Sequence, residues 1–256
     1  MTKSLSGLDT TRRLKRADQI VESVKRWVVV QDMQPGERLP NEATLMEQFD
    51  CARGTVREAL KSLEVQGLIT IKTGPNGGAV LAQVPYPLAS QLLRNFLHFQ
   101  HPTGPDIYQL RVLVEPQIAE MAVAHLTDND LEELNRLTEL CASPPASLEE
   151  RLEQRIAELE FHNVLADRCG NPLFAFLGRF LNDLIKDLVI YKKVQLPEQR
   201  EFSEANLHFH RELNEAFQQR DQGHVKQLMT EHMLSAQAFN VELEGQLVGG
   251  LLAARQ

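Results

Sequence analysis

Between Pro35 and Val80 the chain is punctuated so closely that few folds can accommodate it. Pro35-Gly36-Glu37-Arg38-Leu39-Pro40 ends one helical segment and a short helix follows, with Asn41 placed to cap it. Cys51-Ala52 then leads into Arg53-Gly54-Thr55-Val56-Arg57, the start of a second helix that runs to Gln66 and is stopped by Gly67. Two β-prone runs, Leu68 to Lys72 and Ala79 to Gln83, flank a Gly-rich turn at Gly74 to Gly78. Two short helices joined by a tight turn and followed by a hairpin predict a winged helix-turn-helix, which places its second helix in the major groove of DNA.

A net charge of −8 looks wrong for such a module until it is divided along the chain. Residues 1–83 hold 12 Lys+Arg against 10 Asp+Glu, whereas the remainder holds 15 against 25. Only the first third is cationic, and Arg12, Arg13, Lys15 and Arg16 add a basic cluster ahead of the first helix. That helix spans Ala17 to Val30, with Ile20, Val21, Val24, Trp27 and Val28 on one face. No apolar run approaches the roughly 20 residues that cross a bilayer, and Met1 to Asp9 lacks the apolar core of a secretory signal, so a cytoplasmic protein is expected. Cys51, Cys141 and Cys169 are odd in number and widely spaced, which predicts buried or inert thiols rather than a disulfide framework.

Val84-Pro85-Tyr86-Pro87 reads as a stiff extended connector. A short helix from Leu88 to Phe99 follows, and from Asp106 the periodicity is helical throughout. The segments are Asp106 to Leu126, Asp128 to Cys141, Leu148 to Cys169, Leu173 to Val194, Glu198 to Arg220 and Gly223 to Glu244. The expected class is mainly α. A winged helix-turn-helix occupies residues 1–83, a linker with its connecting helix 84–104, an all-α bundle 105–244 and a tail 245–256.

Arg53 and Arg57 stand where a recognition helix meets base edges, and arginine is the side chain best suited to a bidentate bond with guanine. Arg38, Thr55 and Gly77 at the wing tip complete the candidate DNA-contacting set. The landmarks Pro35, Gly36, Leu39, Pro40, Glu42, Leu45, Phe49, Arg53, Val56, Arg57, Ala59, Leu60, Leu63, Glu64, Gly67, Leu68, Gly74 and Val80 resemble the DNA-binding domain of the GntR family of bacterial transcription regulators. Two departures stand out. Ala52 takes the place of the usual Ser cap, which removes a bond typically worth about 1 kcal/mol. Gly54 replaces a frequent Thr, so the operator sequence does not carry over from relatives.

Glu158 and His162 are one helical turn apart, and His210 and His232 lie on two later helices. Three imidazoles and a carboxylate from three helices suit a borderline divalent metal, although eight histidines in a helical chain also produce such i,i+4 pairs by chance. Residues 88–240 resemble the all-α effector domain, called FCD, of the FadR-type branch of the family. Metal-binding members carry Asp-x-x-x-His and two later histidines at corresponding places, with Glu158 here in the Asp position. The resemblance thus implies one metal per chain held by Glu158, His162, His210 and His232, with zinc or nickel foremost and manganese, iron or cobalt as alternatives. It also implies that Arg111 points into the effector pocket, where a guanidinium suits a small carboxylate, with Asn182 as a further pocket residue. Arg111 and Glu115 are alternatively a surface pair at i,i+4. His208, about 200° around the helix from His210, is a poor ligand.

These readings converge on a homodimeric, ligand-responsive repressor of double-stranded operator DNA, with no membrane association and no catalytic residues. Two other readings use the same residues: a regulator sensing an acyl thioester without metal, and a metal-dependent enzyme fused to a DNA-binding domain.

Overall fold

The computed structural model describes residues 15–74, 77–191 and 200–241. The chain divides between Ala89 and Ser90 into two compact units. Arg12, Arg13, the wing residues Pro75 and Asn76, and the expected tail at 245–256 lie outside the described residues.

The first unit is built on three helices and a hairpin. Helix α1 (Arg16–Val30) buries Ala17, Ile20, Val21 and Val24 at helical spacing. Helix α2 (Glu42–Gln48) starts at Asn41, whose side chain accepts the Thr44 amide at 2.9 Å. Helix α3 (Arg53–Val65) buries Val56, Ala59, Leu60 and Leu63 against them, and Ala52 makes no side-chain cap, as its chemistry dictates. Fully burying a Val, Leu or Ile side chain is worth about 1.5–3 kcal/mol, which holds α3 against α1 and α2. Gly67 ends the helix at φ +74°, a left-handed conformation that favours glycine, and a Cβ there would also push on the Leu88 side chain at 2.6 Å.

Strands β1 (Ile69–Lys72) and β2 (Gly78–Leu81) pair antiparallel from Ile69↔Leu81 to Lys72↔Gly78. Arg38 forms a further antiparallel bridge with Val80, and the Leu39 amide donates to Ala79 O at 3.0 Å. The Pro35-to-Pro40 segment thereby anchors the wing to the helices.

The second unit is helical throughout its described length. Helix α4 (Tyr86–His98) crosses the division between the units and opens earlier than the Pro-rich sequence suggests. The reason is that a proline in the first helical turn lacks only an N–H that would be unbonded anyway, so Pro87 continues the helix instead of delaying it. The same holds for Pro105 in α5 (Gly104–Ala122), which starts from a Thr103/Asp106 capping box. A second box, Thr127/Asp130, opens α6 (Asp128–Leu140), and Arg168 clamps the Asp130 carboxylate at 2.9 Å.

Helices α7 (Leu148–Arg168), α8 (Pro172–Tyr191), α9 (Arg200–Gln218) and α10 (Gln222–Val241) complete the unit. Helix α5 packs against α7, α8 and α10, α10 also against α9, and α6 against α7 and α9. Ile118, Phe161, Leu213, Phe217 and Met229 lie in the main core between them. The three cysteines are free, and burial with the Glu158 charge nearby pushes the Cys141 thiol up to about 12. Among the described residues no helix is long and apolar enough to cross a membrane.

Candidate functional site

Two places in the chain gather polar side chains for which folding alone gives no need. The first is the open end of α3. Arg53 and Arg57 project from its first two turns with 63% and 65% of their side chains exposed, one helical turn apart. Glu42 at the start of α2 faces both, accepting from Arg57 Nε at 3.0 Å and lying 3.8 Å from Arg53 Nε. Thr55 is half-buried on the same turn, its amide bonded to Ala52 O at 3.0 Å. Arg38 is exposed at its bridge to the wing. Gly77 closes the wing tip by donating to Gly74 O at 2.8 Å, and a Cβ on it would lie 2.4 Å from Lys72 O. Backbone cannot yield as a side chain can, so glycine keeps this tip narrow.

The second place is inside the helical unit. His162 on α7, His210 on α9 and His232 on α10 are 3%, 2% and 2% exposed. One ring nitrogen from each lies within 4.8 Å of the other two. Ring centroids are 5.4 Å apart for His162–His210, 5.4 Å for His162–His232 and 5.0 Å for His210–His232. Packing fixes the rings: His210 stacks on Phe161 at 4.1 Å, and Phe209 lies 5.2 Å from His232.

Helix α5 contributes Arg111 and Glu115, 3% and 0% exposed. Arg111 Nε donates to Glu115 Oε1 at 3.1 Å, and Glu115 Oε2 lies 3.1 Å from His162 Nδ1. The i,i+4 pair anticipated as a surface feature therefore exists, but it is buried and joined to a histidine of the cluster. Tyr108, one turn before, offers its ring face to the Arg111 guanidinium at 5.3 Å.

Electrostatics follow from this burial. Burial, followed by the charges of neighbouring histidines and of Arg111, holds His210 and His232 well below the ordinary histidine range, so both rings are neutral. Burial alone would raise the Glu115 carboxyl, but His162 and Arg111 pull it below the usual carboxylate range. An ionised carboxylate only accepts, so a proton on His162 Nδ1 faces Glu115 Oε2. Among the described residues, three buried nitrogens of this cluster have no hydrogen-bond partner, His210 Nε2 and both Nδ1 and Nε2 of His232, while Arg111 Nη2 lies 3.1 Å from Glu115 Oε1 as an ion pair outside hydrogen-bond geometry.

Glu158, expected as the fourth ligand, is not brought into this group. Its Oε2 accepts from Arg155 Nη1 at 2.8 Å, and Arg155 in turn lies over the Phe202 ring at 4.3 Å. The extra methylene of Glu over Asp lets the carboxylate reach back along α7 to that guanidinium. Asn182 on α8 is 1% exposed and donates to Asn163 Oδ1 at 3.1 Å, next in sequence to His162. His208 is 66% exposed beside Glu212 and takes no part. Glu115 was missed from sequence because its position, four residues after Arg111, fitted an ordinary surface pair. Only its burial separates the two cases.

A histidine triad supplies neutral nitrogen donors for a borderline divalent cation, and its unpartnered nitrogens are of the kind such an ion would satisfy. The residues present therefore fit a metal.

Comparison with known proteins bears on both places. Residues 106–235 match the FCD domain, and residues 16–77 match the family described as bacterial regulatory proteins, gntR family. The chain is 27% identical over 236 residues to the HTH-type transcriptional repressor NanR of Salmonella schwarzengrund, covering 88% of this chain and 84% of that one. It is 28% identical over 234 residues to the NanR repressor of Enterobacter sp., covering 88% and 85%. Among solved structures, Streptococcus agalactiae GntR shares the fold with a TM-score of 0.56 at 24% identity, covering 87% of this chain and 99% of that one. With its first unit matched as a gntR-type DNA-binding module and its second as an FCD domain, the chain belongs to the gntR family of bacterial regulatory proteins.

Proposed function

We propose that this protein is a homodimeric, cytoplasmic transcriptional repressor released from its operator when a small carboxylate binds beside the histidine triad. The observation that carries the effector half of this reading is the buried histidine triad, in which His210 Nε2 and both nitrogens of His232 have no hydrogen-bond partner, joined through His162 to the buried Glu115–Arg111 pair. Each buried polar atom left unpaired costs about 1–3 kcal/mol, so a sequence selected only for stability would fill such a place with apolar side chains.

In this reading His162, His210 and His232 hold one divalent metal, zinc or nickel foremost, with manganese, iron or cobalt as alternatives. Glu158 joins them only by giving up Arg155. The bound metal supplies a fixed positive charge and open coordination positions for an anion. Arg111, its charge already shared with Glu115 through Nε and Nη2, adds a second positive group for the same carboxylate, and Asn182 borders the pocket. Glu115 orients His162 and holds Arg111 in place.

At the other end, Arg53 and Arg57 enter the major groove while Arg38, Thr55 and Gly77 meet the backbone and groove edge. Two copies are needed because a palindromic operator presents two half-sites, and linking two modest contacts multiplies affinity. The relatives' description as repressors supports the sign of regulation.

The test is operator binding titrated with a panel of small organic acids, using wild type, Arg111→Ala, His210→Ala and metal-stripped protein. The expected result is release of wild type by one class of acid, with sensitivity weakened in Arg111→Ala and metal content lowered in His210→Ala. Equal effector sensitivity of wild type, Arg111→Ala and stripped protein would remove Arg111 and the metal from recognition.

A further inference from the structure

An acid at the DNA-facing edge of a helix-turn-helix opposes binding to phosphates, and Glu42 stands at that edge. Its side chain is 35% exposed, between the two recognition arginines. Both of its oxygens approach Arg57 Nε, at 3.0 Å and 3.2 Å, and Oε2 lies 3.8 Å from Arg53 Nε. In each case the carboxylate meets the guanidinium at its elbow, not at its tip. The Nη1 and Nη2 edge of Arg57 makes no hydrogen bond to protein among the described residues, and its side chain is 65% exposed.

That geometry decides what the guanidinium can do. An arginine held at Nε has one edge left, and that edge carries the paired donors that match O6 and N7 of guanine. An arginine not so held sweeps a wide arc, within which a phosphate oxygen is as good a partner as a base. Exposed ion pairs contribute little to folding, so stability is a poor reason for this contact.

We infer that Glu42 is a specificity-determining positioning residue, which holds Arg57, and more loosely Arg53, off the phosphates and aims them at base edges. The inference rests on the reading of Arg53 and Arg57 as base-contacting residues. Glu42 sacrifices total DNA affinity for discrimination between sequences.

The experiment uses the full chain and a duplex selected from a random DNA pool by the wild-type protein. Affinity is measured for that duplex and for a scrambled duplex of equal length, across a range of salt. Four proteins are compared: wild type, Glu42→Gln, Arg57→Ala and Asn41→Ala. The last weakens the cap of the same helix without touching the ion pair, and so reports any purely structural effect. For Glu42→Gln the ratio of selected to scrambled affinity should fall about tenfold. Affinity for scrambled DNA should hold or rise, and the salt dependence should steepen by about one unit as a released arginine turns to phosphate. Asn41→Ala should keep the wild-type ratio.

A Glu42→Gln ratio equal to wild type, or reduced no more than in Asn41→Ala, overturns the role of Glu42. If Arg57→Ala collapses the ratio while Glu42→Gln does not, base reading stands and only the positioning role fails. If Arg57→Ala also keeps the ratio, both fall together.

Discussion

Replacing Glu115 by Gln tests the buried site with the least change of shape. Glu115 is 0% exposed and accepts from two partners, Arg111 Nε and His162 Nδ1, each at 3.1 Å. A glutamine offers one acceptor oxygen where the carboxylate offers two. If that oxygen keeps Arg111, the amide NH2 faces His162, and two donors oppose each other until the imidazole moves its proton from Nδ1 to Nε2. With Nδ1 committed to the residue at 115, Nε2 is the nitrogen left to His162 for a metal in the proposed reading, and a protonated nitrogen cannot ligate.

Two magnitudes follow. Breaking a buried pair by neutralising one partner costs about 3–5 kcal/mol, and the retained amide bond places the expected loss near the lower end. For a unit of this size each kcal/mol lowers Tm by about 2–4 °C, so the metal-free variant should melt roughly 6–12 °C below wild type. Metal affinity should fall about 10–100-fold, the usual effect of removing a carboxylate behind a ligating histidine. Calorimetry of metal-free protein gives the first quantity and chelator competition the second. Because the two units can melt separately, the relevant transition is the one that added metal shifts. A variant that binds metal as tightly as wild type and melts at the same temperature would show that Glu115 neither orients His162 nor balances Arg111.

Arg57→Ala is expected to cost about 1–3 kcal/mol in binding to the selected duplex at matched salt, with Tm unchanged because the side chain is exposed; gel-shift titration measures it. Acid should destabilise the metal-free protein earlier than carboxylate titration alone would. His210 and His232 have folded pKa values well below the ordinary range, so the unfolded chain takes up protons that the folded chain refuses once pH falls through about 6.5. Their stability contribution is complete above that pH, and each removes about 1.4 kcal/mol per pH unit below it until its folded pKa is reached. A Tm that stays level from pH 7.5 to 5.5 would contradict the burial of neutral rings.

How much of this was legible in sequence depended on what kind of signal each feature leaves. Periodicity and turn chemistry marked every described helix of the second unit, because apolar spacing and breakers such as Gly170-Asn171-Pro172 are local properties. Helix starts beside prolines were less legible: Pro87 and Pro105 read as breaks, whereas the first turn accepts them. The three histidines were legible as a set only through the resemblance to metal-binding FCD domains, because their spacing alone is also met by chance among eight histidines. Glu158 and Glu115 were not separable in that way. Both lie four residues from a partner of the proposed site, and which one turns inward depends on burial and on competition from Arg155, neither of which is written locally. Glu42 was visible only as a landmark, since its contact with Arg57 spans 15 residues and exists only after the turn has folded.

The placement of the buried cluster bears on how a ligand could act at a distance. Arg111 and Glu115 come from α5, and the three histidines from α7, α9 and α10, so one small site touches four helices. These helices also pack on one another through the main core, α5 against α7 and α10, and α10 against α9. A close-packed interior does not deform smoothly, so a shift demanded by a ligand at one helix is passed to its neighbours. In the proposed reading, an effector held at 100 times its Kd stabilises the arrangement it prefers by about 2.7 kcal/mol, enough for a change of about a hundredfold in operator affinity. Linkage then fixes a reciprocal result: operator must weaken effector binding by the same factor. Effector affinity measured with and without saturating operator is therefore as direct a test of coupling as release of DNA, and equal values would mean that the two units do not communicate.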